Sequence, residues 1–178
     1  MPNAEVDTDT FTATGDYTRM MAGAAEQGTT VTYVTSGQTL RLGELDFWFL
    51  APNATDYSDL NDWSLVTKVT YGSTSMILTG DAEKRSEEEI LKKYSGSELD
   101  CDILKSGHHG SSSSSSEAFL DAIDAEIAII SCGTGNKYGH PNQPVLDRYA
   151  ERNMQVFRTD LEGTIIYSSN GAEFTRVK

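Results

Sequence analysis

The chain has 178 residues, 38% of them apolar and 23% charged, the balance of an ordinary globular domain with enough length to bury a sizeable core. A net charge of −13 repels phosphate backbones, which argues against broad, non-specific nucleic-acid binding unless a metal or a local basic patch intervenes. No apolar run approaches the roughly 20 residues needed to cross a bilayer, and the opening Met1-Pro-Asn-Ala-Glu-Val-Asp7 shows no basic stretch followed by an apolar one.

In chain order, Asp16 to Gln27 reads as a helix, with Tyr17, Met20, Met21 and Ala24 on one face and Gly28 as its stop. The period then changes to two. Val31 and Tyr33, Leu40 and Leu42, then Leu45, Phe47 and Phe49 alternate with polar residues and predict three short strands. Asn61 to Tyr71 and Ser75 to Thr79 predict a hairpin closed by Tyr71-Gly-Ser-Thr74. Next come a helix over Glu83 to Tyr94, a strand over Cys101 to Lys105, a helix over Ser116 to Ile123 and a strand over Ile127 to Ser131. Pro144 to Arg152 is helical, with proline in the first turn. Gln155 to Arg158, Gly163 to Tyr167 and Ala172 to Arg176 close the chain as strands. Meandering strands followed by βαβα units predict an α/β layered domain. Ser111 to Ser116 is the one low-complexity stretch, of ordinary length for a strand-to-helix connection. Cys101 and Cys132 lie in apolar segments and read as buried thiols, with a disulfide left open.

Two strands end in chemistry. Leu78-Thr-Gly-Asp81 puts a carboxylate after one strand, and Lys105-Ser-Gly-His-His-Gly-Ser111 puts His108 and His109 after another. If the two ends share one sheet edge, their oxygen and nitrogen donors suit a borderline metal such as zinc, or manganese or iron. Taken singly, Asp81 is an ordinary cap or turn residue and the histidine pair a solvated loop.

Further along stand Gly135-Asn-Lys-Tyr-Gly-His-Pro141, Arg158-Thr-Asp160 and Gly163-Thr-Ile165; upstream stands Asn61-Asp-Trp-Ser-Leu-Val66. In this order and wording the chain resembles the metallo-β-lactamase superfamily, specifically the branch typified by the hydrolase domain of the competence DNA-uptake protein ComEC. The similarity runs from about Gly28 to Thr164. It implies a four-layer αββα sandwich with a one- or two-metal site at one edge, zinc first and manganese or iron next. Asp81 would bridge or ligate the metals. One of His108 and His109 would be a ligand, with His108 favoured, and the other would support it or touch substrate. His140 would be a further ligand, or a proton donor and phosphate contact. In such a site two metals about 3.5–4 Å apart hold a hydroxide and clamp an ester oxygen. Lys105 could face developing phosphate charge, while Ser111 and the amides of Gly110 and Ser111 could donate to a phosphoryl oxygen. Tyr138 could orient His140, and Asp160 could shape a turn or add a carboxylate at the same edge.

The departure is large. The superfamily's His-x-His-x-Asp-His motif is absent, and the chain has three histidines in all. The expectation is that residues 1–178 form a single metallo-β-lactamase-like domain beginning at an internal methionine and lacking the N-terminal βα half. Such a piece would leave an apolar sheet face uncovered, be inactive alone, and need the missing half or self-association. The implied reaction is phosphodiester hydrolysis by a metal-activated hydroxide, on a small molecule or on nucleic acid. The alternative is a non-catalytic binding or scaffold domain. A serine hydrolase is set aside because no Gly-x-Ser-x-Gly occurs. The resemblance allows a membrane-attached or an extracellular setting.

Overall fold

The computed structural model describes residues 15–178, so the Met1-Pro-Asn segment weighed above as a start point lies outside them. Two compact units are distinguished by their internal contacts: 15–34 with 54–56, and 35–53 with 57–178.

In the first unit, α1 (Gly15–Glu26) is the helix expected from the sequence. It ends where Gly28 takes a positive φ of 64° and the Thr29 amide bonds the Ala24 carbonyl. Tyr17 and Tyr33 hydroxyls lie 2.8 Å apart. The strand expected at Val31 and Tyr33 does not form: among the described residues the segment has no ladder partner, and both side chains are exposed. Three residues of alternation carry little weight without a second strand to pair with.

The second unit is built on a seven-stranded sheet whose spatial order follows chain order. β1 (Thr39–Leu42), β2 (Leu45–Phe49), β3 (Thr67–Tyr71) and β4 (Thr74–Leu78) form an antiparallel meander. The hairpin turn at Gly72-Ser73 pairs Tyr71 with Thr74, as Tyr71-Gly-Ser-Thr74 predicts. The first arm is shorter than expected, because Asn61–Trp63 is a 3-10 turn and pairing begins only at Thr67. From β4 onward the direction is parallel. α2 (Lys84–Lys93) and the single-turn α3 (Gly96–Leu99) lead to β5 (Ile103–Lys105). α4 (Glu117–Ile123) leads to β6 (Ile127–Ile130), and α5 (Gln143–Glu151) to β7 (Gln155–Arg158). The single turn α6 (Thr159–Glu162) forms where Asp160 is expected to shape a connecting turn, and the strand expected over Gly163 to Tyr167 begins only at Tyr167. A two-stranded ribbon, β8 (Tyr167–Ser169) and β9 (Phe174–Arg176), completes the chain.

One sheet face carries the core. Ile77, Leu104, Ala128 and Ile130 pack with Ile90, Phe119, Leu120, Ile123, Val145 and Tyr149 from α2, α4 and α5, all essentially inaccessible. The other face is apolar too, through Leu40, Phe47, Val69, Met76, Ile127, Ile129 and Phe157. This two-sided apolarity is typical of strands meant to be covered on both sides. The β8–β9 ribbon lies over part of it, with the Tyr167 ring tilted 6.0 Å from that of Phe157 and Gly171 beside the Tyr71 ring. Leu40 and Leu42 of the edge strand remain 54% and 65% exposed. The fold is therefore α/β with a mixed sheet. Of a four-layer sandwich, this unit shows one helical layer, the main sheet and a ribbon.

Truncating Leu104 to alanine in the central strand should cost about 2–5 kcal/mol. Truncating the exposed Leu42 should change stability by no more than about 0.5 kcal/mol. Urea unfolding of the two variants against the parent checks both values.

Candidate functional site

The site follows from one register. Leu78 of β4 pairs in parallel with Lys105 of β5, so both strands deliver their carboxyl-terminal loops to the same edge. That edge is where open parallel sheets collect ligands. The loops are tied directly, since the His108 amide donates to the Gly80 carbonyl at 3.1 Å.

Asp81 follows Gly80, whose φ of 56° turns the chain sharply; a Cβ there would meet the Ser64 hydroxyl at 2.9 Å. That hydroxyl accepts the Asp81 amide at 2.9 Å. The Asn61-Asp-Trp-Ser64 turn thus serves as scaffolding. Asp62 accepts the amides of Glu83 and Ser86, capping α2 from outside its own sequence, and burial pushes its carboxyl up against those two hydrogen bonds.

His108 and His109 sit in the 3-10 turn Gly107–Gly110, and both adopt left-handed backbone, with φ of 43° and 57°. Two successive side-chain-bearing residues in that region cost roughly 1–2 kcal/mol apiece. Strain of this kind marks segments whose geometry serves a site. The two rings, 6.3 Å apart, are each held at Nδ1. His108 Nδ1 lies 2.9 Å from Glu83 Oε1, and His109 Nδ1 lies 2.6 Å from the Ser131 carbonyl oxygen. A carbonyl can only accept, so His109 Nδ1 carries the proton and Nε2 is left with its lone pair. Nε2 stands 3.5 Å from Asp81 Oδ1, with both side chains roughly half exposed. An oxygen and a ring nitrogen at that separation could share a proton or a metal ion, and both are open to water.

His140 joins the same rim, its ring 5.5 Å from that of His108 and stacked at 5.7 Å on Tyr138. Its backbone is clasped by Asn136, whose side-chain amide donates to the His140 carbonyl and accepts the His140 N–H. Burial lowers the His140 pKa, and the neighbouring His108 and His109 lower it further against the opposing pull of Asp81. Lys105 is pulled down by burial, opposed by Asp81, and donates to the Ser106 carbonyl at 3.0 Å. Ser111 is buried, its hydroxyl 2.8 Å from that of Ser113, and its amide donates to the His108 carbonyl. That bond occupies the amide expected to donate to a phosphoryl oxygen. Asp160 is engaged elsewhere. It is gripped by Arg158 at 3.0 and 2.6 Å, which holds its carboxyl down at about 2, and it accepts the Cys132 thiol. Both cysteines are free; Cys101 is buried, its thiol pushed up to about 12, while Cys132 is only half buried.

The structure thus gathers Asp81, His108, His109 and His140 and turns Ser111 inward. Glu83, Asp62 and Ser64 escape sequence reasoning. The Asn61-Asp-Trp-Ser64 wording is the available signal for two of them, but in sequence it passes for the start of a strand. Carboxylate oxygen and imidazole Nε2 are donors that a borderline divalent cation accepts. Among the described residues, however, no three His, Cys, Asp or Glu side chains converge closely enough to hold one unaided. A bound ion would draw further ligands from water, substrate or other protein segments.

What these features define is an α/β domain with an acid–imidazole rim at the carboxyl ends of its parallel strands. No protein-family model matches the chain. It is 39% identical over 149 residues to ComE operon protein 3 of Bacillus subtilis, covering 84% of this chain and 19% of that protein. It is 39% identical over 121 residues to competence protein ComA of Neisseria gonorrhoeae, covering 68% and 17%. Against recombination protein 2 of Haemophilus influenzae it is 34% identical over 134 residues, covering 75% and 16%. The chain is a homologue of a segment of each of these proteins, which supports its resemblance to the ComEC-like competence proteins. It spans less than a fifth of their length. Among the described residues no helix is long and apolar enough to cross a membrane.

Gly110 has a φ of 83°, and a Cβ there would sit 2.6 Å from Pro141 Cβ. Gly110→Ala should cost about 2–4 kcal/mol, from left-handed strain and overpacking together, measured by urea unfolding. A second expectation concerns acid. The folded-state pKa of Asp160 lies below its unfolded value, so its ion pair stabilises fully above about pH 4 and is lost as pH falls towards 2. Asp160→Asn should flatten that limb of the stability profile, read by denaturation at a series of acid pH values.

Proposed function

We propose that this chain is part of a metal-dependent hydrolase of phosphodiesters that acts in competence. The observation that carries the reading is the facing pair of acceptors, Asp81 Oδ1 and His109 Nε2, 3.5 Å apart at the mouth of two parallel strands. Two relatives, ComE operon protein 3 and competence protein ComA, suggest the biological setting. Asp81 and His109 would hold the ion, with His108 or His140 completing its shell. When bound, zinc, manganese or iron supplies Lewis-acid polarisation of a phosphoryl oxygen and acidifies a water.

The chain's own residues have definable tasks. The Ser131 carbonyl and Glu83 fix the imidazole orientations, and Asn136 fixes the loop that carries His140. His140, whose pKa is lowered by burial and by the neighbouring imidazoles, is suited to take or return a proton near the leaving oxygen. Lys105 adds positive charge near Asp81 in a chain that is otherwise strongly acidic. The acid balance favours a small phosphodiester, and a nucleic-acid strand would need basic surface from elsewhere in a longer protein.

A second reading, a non-catalytic binding module, is favoured by the incompleteness of the donor set among the described residues. Both readings are put to one test. A longer protein containing this segment should take up zinc or manganese and cleave bis(p-nitrophenyl) phosphate. Asp81→Ala should lower that cleavage by more than about a hundredfold. A protein that takes up neither metal and cleaves nothing overturns the enzyme reading.

A further inference from the structure

We propose that Glu83 is the positioning residue for His108, and that the serine run Ser111–Ser116 is the brace that holds Glu83 to this task. The role deepens the metal-handling reading of the rim and rests on that reading for its purpose, though not for its test. Three donors converge on one oxygen, Glu83 Oε1: His108 Nδ1 at 2.9 Å, Ser113 Oγ at 2.9 Å and Asn61 Nδ2 at 3.2 Å. An ionised carboxylate only accepts, so His108 Nδ1 must carry the proton, leaving Nε2 as the lone-pair atom. Glu83 stands at the N-cap position of α2 but makes no side-chain cap there; Asp62 performs that service from another segment. Its carboxylate is thereby released to face the histidine.

The serine run is a tied structure. The Ser113 carbonyl accepts the Lys84 amide, and Ser114 Oγ donates to the Ala82 carbonyl at 2.7 Å, so the run is fastened on both sides of Glu83. The amides of Ser115 and Ser116 donate to the carboxylate of Glu87, which is 2% exposed, at 2.6 and 2.8 Å. Ser115 Oγ lies 2.8 Å from the buried Tyr149 hydroxyl, which in turn donates to Ser106 Oγ at 2.7 Å. Ser106 directly precedes the histidine turn. The brace therefore closes a loop from His108 through Glu83, Ser113, Ser115 and Tyr149 back to the base of the same turn. Small hydroxyl residues fit such a role because each can donate and accept within a single turn of backbone.

The experiment is long-range 1H–15N spectroscopy of the 178-residue chain, metal-free, at a pH where imidazoles are neutral. His108 should show a protonated Nδ1 and a lone-pair Nε2. Glu83→Ala should shift His108 towards the Nε2–H form, while Glu83→Gln, whose carbonyl still accepts, should restore the Nδ1–H form. Ser113→Ala, a smaller change that leaves the His108 contact in place, should give a mixture of the two forms. His108 found as Nε2–H in the parent overturns the proposal, as does an unchanged Nδ1–H form in Glu83→Ala. Should that variant fail to fold, the parent and Ser113→Ala decide between the same two outcomes. A parent that keeps the Nδ1–H form while a longer protein shows no hydrolysis would sink the enzyme reading alone.

Discussion

The parallel pairing of Leu78 with Lys105 is the contact on which the rest depends. Reversing one strand, or slipping it by a residue, would send Asp81 and the two histidines to different edges or different faces. The pairing is secured by the helical layer, because Ile77 and Leu104, the residues just before this pair, are fully buried against it. Hydrophobic burial on one face thus fixes a polar geometry at the end of the strand. The His108 amide bond to Gly80 then locks the two loops together.

The rim is an electrostatic arrangement as much as a geometric one. Asp81 and Glu83 stand among three imidazoles with Lys105 nearby, so hydrogen-bond donors and acceptors are interleaved at one edge of a chain of net charge −13. Left-handed backbone at His108 and His109 opposes folding, and it persists because amide, carbonyl and side-chain bonds to other segments over-determine it. Asp62 and Ser64 contribute hydrogen bonds to backbone, and through them they set where α2 begins and where Asp81 points.

Much of this is legible in the sequence. Period-two apolar runs and the Tyr71-Gly-Ser-Thr74 turn locate the meander, and the alternation of apolar strands with helices locates the parallel half. Legibility ends where a pattern is too short to discriminate. Val31 and Tyr33 alternate without a partner strand, and Thr159–Glu162 forms one helical turn that Asp160 and Arg158 stabilise through an ion pair invisible to periodicity. Asp81, His108, His109 and His140 stand out because their residue types are costly to leave unexplained beside glycines. Glu83 does not, since one glutamate at the start of a charged helix looks like any other. Only the third dimension shows Asp62 doing the capping and Ser113 steering Glu83 elsewhere.

The change from antiparallel to parallel pairing at β4 also orders assembly in time. β1–β2 and β3–β4 close through two-residue turns, whereas β5, β6 and β7 must each wait for a helical crossover before they can dock. Closing longer segments is slower and entropically dearer. The histidine turn lies beyond the first such crossover, and the His140 loop beyond the second. On this topology the segment that carries Asp81 is set by the meander, and His108, His109 and His140 reach the same edge only after the crossovers that follow it.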